Sequence, residues 1–430
     1  MLDPEIGFTS NVIRDPKRFV GRTDDIRDCI KAINTTMGLI AVYGKRGVGK
    51  SSLLRQIQQM ATGDYTLAEK AGLSRLIPPN KRKFLTVYFT CDSMIKNIHD
   101  LLIRLCNDQD SEDGLLRLVP DDGKEIVEFS RSSEVSGGAD LRVVKWGTKG
   151  IDTSKYARVV PGDIVQTFRN FLSSIVTHQV KKHKREGILI LLDEFDVLQD
   201  KSDIGSLIKS LSSESVKFGV CGIGRDLNDL VEDHSSVERL IEEGAIHVRE
   251  MDKYECEEII RTAGRLYRGA LIFDTGVTSM IAELSQGYPY LTQLLGKECV
   301  NVANKYNVSN ITMDIFQEVL NDVKSGRAFP TLESSYQRAI GGSTHRQILL
   351  HLLAEQSEIQ PDLYSFEVGR VFLKKVRQDA QDLNIDYIDQ LLPRLIDKKF
   401  GPVLVRIPEK PGVYEFPNPI FRIYVQLRHF

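Results

Sequence analysis

The octapeptide Gly44-Lys45-Arg46-Gly47-Val48-Gly49-Lys50-Ser51 constrains this chain more than any other feature, because it fits the phosphate-loop pattern G-x-x-x-x-G-K-[ST] completely. An apolar run over 39–43 leads into it, and Leu53, Leu54, Ile57 and Met60 follow at helical spacing. Strand, glycine-rich turn and helix in that order are the parts of one unit of a parallel α/β sheet. In such a unit the glycines let backbone N–H groups wrap phosphates at the positive end of the helix. Lys50 is then expected to reach the β- and γ-phosphates and the Ser51 hydroxyl to bind Mg²⁺. Gly44, Gly47, Val48, Gly49, Lys50, Ser51 and Ser52 are the candidate phosphate contacts.

Further apolar runs over 84–90, 188–192 and 218–223 alternate with helical patterns up to about residue 250. Continuous apolar strands between helices imply a parallel sheet covered on both faces. The run 188–192 passes straight into Asp193-Glu194-Phe195-Asp196. A carboxylate at the carboxyl end of a parallel strand lies where ligands bind in open α/β sheets. Asp193 is therefore expected to hold Mg²⁺ through water, and Glu194 to polarise the attacking water as general base. The plain alternative for both is a polar strand end turning into a loop. Asp196 reads as a solvent-facing or helix-starting carboxylate.

From about 251 to 325 the pattern is helical only. Val277, Met280, Ile281 and Leu284 repeat at i, i+3, i+4 and i+7 behind the cap candidates Asp274 and Thr275, and Pro289 begins the next helix. Residues 325–330 punctuate as a linker. Beyond it, helices around 348–353 and 388–395 precede two short strands, 403–407 and 413–416, across the turn 408–412, which predicts a winged helix. Residues 108–155 are an insertion, with Gly137-Gly138 between 126–130 and 141–146 suggesting a β-hairpin.

Composition narrows the class. With 430 residues, 41% hydrophobic and 27% charged, the chain has room for about three domains and is not wholly disordered. No apolar run approaches the roughly 18 residues of a membrane helix, and the start carries no secretory signal. Six scattered cysteines suit neither a zinc site nor a disulfide framework and fit a reducing cytoplasm; His99, His178 and His234 have no partners at ligand spacing. A net charge of −2 advertises no bulk polycationic surface.

With these motifs in place, the segment Phe19-Val20-Gly21-Arg22 shortly before the phosphate loop completes a resemblance to the AAA+ superfamily. More closely the chain resembles prokaryotic AAA+/STAND-type ATP-binding proteins related to transposition regulators and archaeal replication initiators. Residues 221–224, 233–239 and 248–251 are similar to the sensor strand and following region of that group, Ser285-Gln286-Gly287-Tyr288-Pro289-Tyr290 to its lid motif, and 416–424 to the close of its winged helices. The resemblance implies an AAA+ core over 1–250, a helical lid over 251–326, a winged helix over 331–430, and an ATPase using ATP/ADP and Mg²⁺. It implies adenine contacts by Phe19, Val20 and Arg22, a lid proline at Pro289 near the base, and an arginine finger at Arg239 acting between subunits of a homo-oligomer. Two departures stand out: the sensor strand ends Gly222-Ile223-Gly224 without an Asn, Thr or Ser, and the lid helix lacks the usual arginine. Both favour slow, switch-like turnover.

Several assignments have two readings. Arg239 is the finger or a surface arginine pairing with Glu238 or Glu242, and Arg225 is its rival. The run Lys181-Lys182-His183-Lys184-Arg185 is an electropositive patch or the cationic end of a helix. Residues 331–430 carry 13 Lys/Arg and 12 Asp/Glu, so only Arg394, Lys398, Lys399, Arg406 and Lys410 cluster in a way that suits DNA. That domain binds DNA or a protein partner. The whole is read as a cytoplasmic, oligomer-forming ATPase acting on or near DNA in mobile-element, replication or antiphage-defence biology. The alternatives are a nucleotide-gated scaffold that recruits an effector protein with little hydrolysis, and a DNA-binding regulator in which nucleotide only sets oligomeric state.

Overall fold

The computed structural model describes residues 1–36, 38–107, 113–118, 127–131, 141–145, 164–224, 227, 229–231, 234–356, 367–368, 370–385, 387–407 and 413–429. The chain forms two compact bodies. One holds Thr23–Gly44 and Lys50–Val248; the other holds Met1–Arg22, Lys45–Gly49 and Arg249–Phe430.

The first body is built on a parallel sheet. Its strands are β1 (Leu39–Gly44), β2 (Phe84–Thr90), β5 (Gly187–Asp193), β6 (Val216–Ile223) and β7 (Ala245–His247), and a separate antiparallel hairpin pairs β3 (Val127–Arg131) with β4 (Leu141–Lys145). The sheet order β2-β5-β6-β1-β7 puts the phosphate-loop strand beside β6 and places the Asp193 strand between β6 and β2. Every residue of β5 is buried, which is why it reads as an unbroken apolar run. Leu39, Ile190, Leu192, Phe218 and Val220 join Phe168, Leu172 and Ile208 from flanking helices in one core. The inserted hairpin is where the sequence places it; Gly137-Gly138 and the rest of its turn lie outside the described residues. The basic run 181–185 follows the helical segment Ile175–Val180 directly before β5, with the Arg185 N–H on the Val180 carbonyl, so it sits at a helix end.

The second body is mainly helical. Lys253–Leu266 opens on a capping box in which Asp252 and Glu255 satisfy each other's backbone N–H groups. Thr275–Leu284, Pro289–Tyr306 and Met313–Lys324 follow; Asp274 takes the cap position of the first of these without a side-chain bond. The helices-only reading of 251–325 needs one correction. Ile272–Phe273 and Asn310–Ile311 pair as a two-residue parallel ladder, because the segments entering two helices run side by side.

After Pro330–Ile340 come the helix Thr344–Gln356, the strand Glu367–Val368, the helices Arg370–Asp382 and Ile388–Ile396, and the strands Val405–Arg406 and Tyr414–Glu415. The three strands form one antiparallel sheet with Tyr414–Glu415 in the middle. Its strands are shorter than the apolar runs. The N–H groups of Val403 and Leu404 both turn to the Leu395 carbonyl at the end of a helix, so ladder pairing begins only at Val405. The turn 408–412 lies outside the described residues. The final helix, Pro419–Leu427, buries Ile420, Phe421, Arg422, Ile423, Tyr424 and Val425.

Candidate functional site

The phosphate-loop motif is shared between the bodies, since the chain passes from the first to the second between Gly44 and Lys45 and returns between Gly49 and Lys50. Each half is described within its own body.

In the first body, β1 delivers Gly44, and the helix Lys50–Thr62 begins with Lys50, buried, and Ser51 and Ser52, half-buried. Asp193 ends β5 at 4% exposure. Its Oδ1 accepts from Ser51 Oγ at 3.1 Å and from the Glu194 N–H at 2.9 Å, while Oδ2 accepts from the Tyr88 hydroxyl at 2.6 Å. Burial and the adjoining Asp193 carboxylate push the Tyr88 pKa well up, so its hydroxyl remains a donor. Glu194 is exposed and adopts a left-handed backbone, φ 52° and ψ 37°. For a non-glycine residue that conformation costs on the order of 1 kcal/mol and is retained where the surrounding structure fixes it.

Asp196 is the middle residue of the single turn Phe195–Val197 rather than its start, and it is half-buried rather than solvent-facing. Its Oδ1 accepts from the Ile223 N–H at 2.7 Å and stands 2.6 Å from where a Cβ on Gly222 would lie. A glycine therefore occupies the next-to-last position of β6, because Asp196 fills the space a side chain would need.

In the second body, Arg22 organises the phosphate loop. With φ 66°, it donates from Nη2 to the Val48 carbonyl at 2.5 Å and from Nη1 to the Arg249 carbonyl at 2.7 Å, and its own N–H reaches Glu255 Oε1 at 2.5 Å. Gly47 (φ 84°) and Gly49 (φ 98°) take backbone conformations that side chains disfavour. A Cβ on Gly49 would meet Pro289 Cγ at 3.7 Å, and one on Gly47 would meet Ile420 Cδ1 at 2.9 Å. The Tyr290 N–H points to the Gly47 carbonyl at 3.5 Å. Lys45 Nζ pairs with Glu250 Oε1 at 3.0 Å, and the Tyr288 hydroxyl donates to the same oxygen at 2.8 Å. Burial opposes the charge on Glu250, but Lys45, backbone hydrogen bonding and the Tyr288 hydroxyl outweigh it and hold the carboxyl below its ordinary range.

The predicted residues thus fall into two groups. Lys50, Ser51, Asp193 and Glu194 come together on the sheet; Arg22, Gly47, Val48, Gly49 and Pro289 come together in the other body. Phe19 and Val20 are buried, and Val20 packs with Met251, Cys256, Ile259 and Ala282. Arg239 is exposed on the helix His234–Ile241, with no ion pair to Glu238 or Glu242 among the described residues, and Arg225 lies outside them. Arg394, Lys398, Lys399 and Arg406 are exposed, and Lys410 lies outside the described residues. Tyr88 and Arg55 escaped the sequence reading as site residues, and Glu250, Tyr288 and Ile420 entered it only as members of resembling segments, because only strand register and chain folding bring them to the motifs. Among the described residues no group of histidine, cysteine or carboxylate side chains forms a metal cluster, no helix is long and apolar enough to cross a membrane, and all six cysteines are buried free thiols.

A family model described as novel STAND NTPase 1 matches residues 7–291. No curated protein matches the sequence. Among solved structures, the chain is similar to Cdc6p from Pyrobaculum aerophilum at 10% identity, covering 100% of this chain and 98% of that one with a TM-score of 0.45. It is also similar to the Aeropyrum pernix ORC1 protein in complex with DNA (11% identity, 98% and 94% covered, TM-score 0.44). A third is the Thermotoga maritima RuvB Holliday junction branch migration motor (13% identity, 93% and 92% covered, TM-score 0.41).

Proposed function

The chain belongs to the novel STAND NTPase 1 family, and from that premise we propose that it is a Mg²⁺-dependent ATPase that couples nucleotide state to self-assembly and to a DNA or protein partner. One observation carries the reading: the complete phosphate-loop motif runs into a helix whose Ser51 hydroxyl lies 3.1 Å from the buried carboxylate of Asp193. A hydroxyl and a carboxylate side by side are hard oxygen donors, the donor set that suits Mg²⁺. When bound there, Mg²⁺ would neutralise charge on the β- and γ-phosphate oxygens.

In this reading the triphosphate lies along Gly44, Gly47, Val48, Gly49, Lys50, Ser51 and Ser52, with Lys50 on the β- and γ-phosphates. Phe19, Val20, Arg22 and Pro289 flank the nucleotide, with Arg22 acting through Val48. Glu194, exposed and held by its backbone conformation, takes a proton from the attacking water. Arg239, exposed on the helix His234–Ile241, completes the site of a neighbouring copy. The chain is organised as an AAA+ core to residue 250, a lid to 326 and a winged helix from 331, whose Arg394, Lys398, Lys399 and Lys410 meet DNA phosphates. The protein works in the cytoplasm.

A second reading, a nucleotide-gated scaffold with little hydrolysis that recruits an effector protein, is favoured by the end of β6. There the Asp196 carboxylate fills the space at Gly222 that a polar sensor side chain would need. Steady-state phosphate release with and without duplex DNA separates the two. Release that depends on Glu194 and responds to DNA supports the first; tight ATP binding with no release in either condition supports the second.

A further inference from the structure

Tyr88 lies on the edge strand β2, which runs in register with β5 so that Tyr88 faces Leu191 and Thr90 faces Asp193. That register sets its hydroxyl on Asp193 Oδ2, while Ser51 and the Glu194 N–H share Oδ1. The three donors divide the carboxylate between them. Rotation about the last torsion of an aspartate is soft, so the donor on Oδ2, added to the two on Oδ1, narrows the range of planes the group can take.

The tyrosine is itself clamped. The Arg55 guanidinium, from the helix that starts at Lys50, stacks 3.3 Å from the centre of the Tyr88 ring. Arg55 Nη1 is held by Asp113 Oδ2 at 2.7 Å and by Gln58 Oε1 at 2.9 Å. Asp113 grips the same tyrosine a second time, because its carbonyl accepts the Tyr88 backbone N–H at 3.1 Å. Asp113 belongs to the inserted segment 108–155, so the insertion reaches the Asp193 carboxylate through two side chains.

We propose that Tyr88 is a positioning residue for Asp193 and that the inserted segment sets it through Asp113 and Arg55. The proposal rests on the reading of Asp193 as a Mg²⁺-binding carboxylate. Its consequence is that the insertion governs how well the site takes metal-bound nucleotide, without touching the nucleotide. Hydrogen-bond partners that orient metal-binding groups are worth about 10- to 100-fold in metal affinity.

The test compares ATP affinity by calorimetry in Mg²⁺ and in EDTA. Tyr88→Phe keeps the ring under Arg55 and removes one oxygen, so it is expected to lose about tenfold or more in Mg²⁺ and to match the wild type in EDTA. Asp113→Asn is expected to shift affinity in the same direction by a smaller factor, and it carries the comparison if Tyr88→Phe does not fold. A loss of equal size in both conditions, or no loss in either, overturns the positioning role, since a packing defect ignores the metal. If the wild type itself binds ATP equally well in Mg²⁺ and in EDTA, the reading of Asp193 fails and takes the proposal with it.

Discussion

Arg22→Ala separates two roles for one arginine, brace of the phosphate loop or contact to the base. The side chain is 7% exposed and spans two backbone carbonyls, Val48 and Arg249. Hydrogen bonds from a charged donor are worth about 1.5–3 kcal/mol each. Water reaching the freed carbonyls returns part of this, leaving a net loss of about 2–3 kcal/mol. The loop carries glycines at φ 84° and 98° on either side of Val48, so the freed segment gains more conformational freedom than an ordinary turn does. We expect about 2 kcal/mol of the loss to appear in ligand binding, roughly 30-fold in Kd. Arg22→Lys keeps the charge but cannot fork to both carbonyls, and should recover little of it. The assay is calorimetric titration with ATP and, in parallel, with inorganic tripolyphosphate. A brace weakens both ligands alike. If Arg22→Ala loses ATP while tripolyphosphate binds as to the wild type, the arginine serves the base and the brace argument is wrong.

Three further outcomes follow from the same geometry. Glu194→Gln should bind ATP as the wild type does and hydrolyse about 10² to 10⁴ more slowly; equal turnover would move the base elsewhere. Mixing Arg239→Ala with Lys50→Ala should restore phosphate release, because each inactive protein supplies the half-site the other lacks, and silence from a mixture that co-assembles would remove Arg239 from the site. Glu250 is held below the ordinary glutamate value of 4.5, so its pairing with Lys45 stabilises the native state above about pH 4.5 and is lost as pH falls through the lowered value. The urea midpoints of wild type and Glu250→Gln should therefore differ at pH 7 and converge as pH falls through the lowered value, and a difference that stays constant with pH would show that the charge of Glu250 is not what matters.

The core of the fold was legible where one residue type repeats in a run. The strand ending at Asp193 is buried along its whole length, so its apolar residues are contiguous in the sequence and announce it. The three-residue strand Ala245–His247 escaped because only Ile246 is buried, which leaves no pattern to detect. In the region after residue 400 the apolar runs were visible but overstated the strands, since burial of Val403 and Leu404 serves a helix end rather than a ladder.

The site divides in the same way. Motif residues such as Lys50, Ser51 and Asp193 are legible because they stand in a fixed sequence pattern, the phosphate-loop octapeptide and the carboxylate that ends an apolar run. Their supports are not. Tyr88 looks like any strand aromatic until register puts its hydroxyl on Asp193. Ile420 looks like any core aliphatic until the chain brings the last helix to Gly47, more than 370 residues away. Asp196 offered a carboxylate with no stated partner, and only the turn at Phe195–Val197 directs it to the N–H of Ile223.

The central claim is that the segment from Gly44 to Ser51 binds the phosphates of a nucleotide, with Lys50 as its main cation. Calorimetric titration of the wild type and Lys50→Ala with ATP in Mg²⁺ tests it most directly, with circular dichroism confirming that both are folded. Loss of a charge-assisted phosphate contact costs a few kcal/mol, so the account predicts binding by the wild type and an affinity on the order of a hundredfold weaker in the variant. Equal affinities, or a folded wild type that takes up no nucleotide, would contradict it.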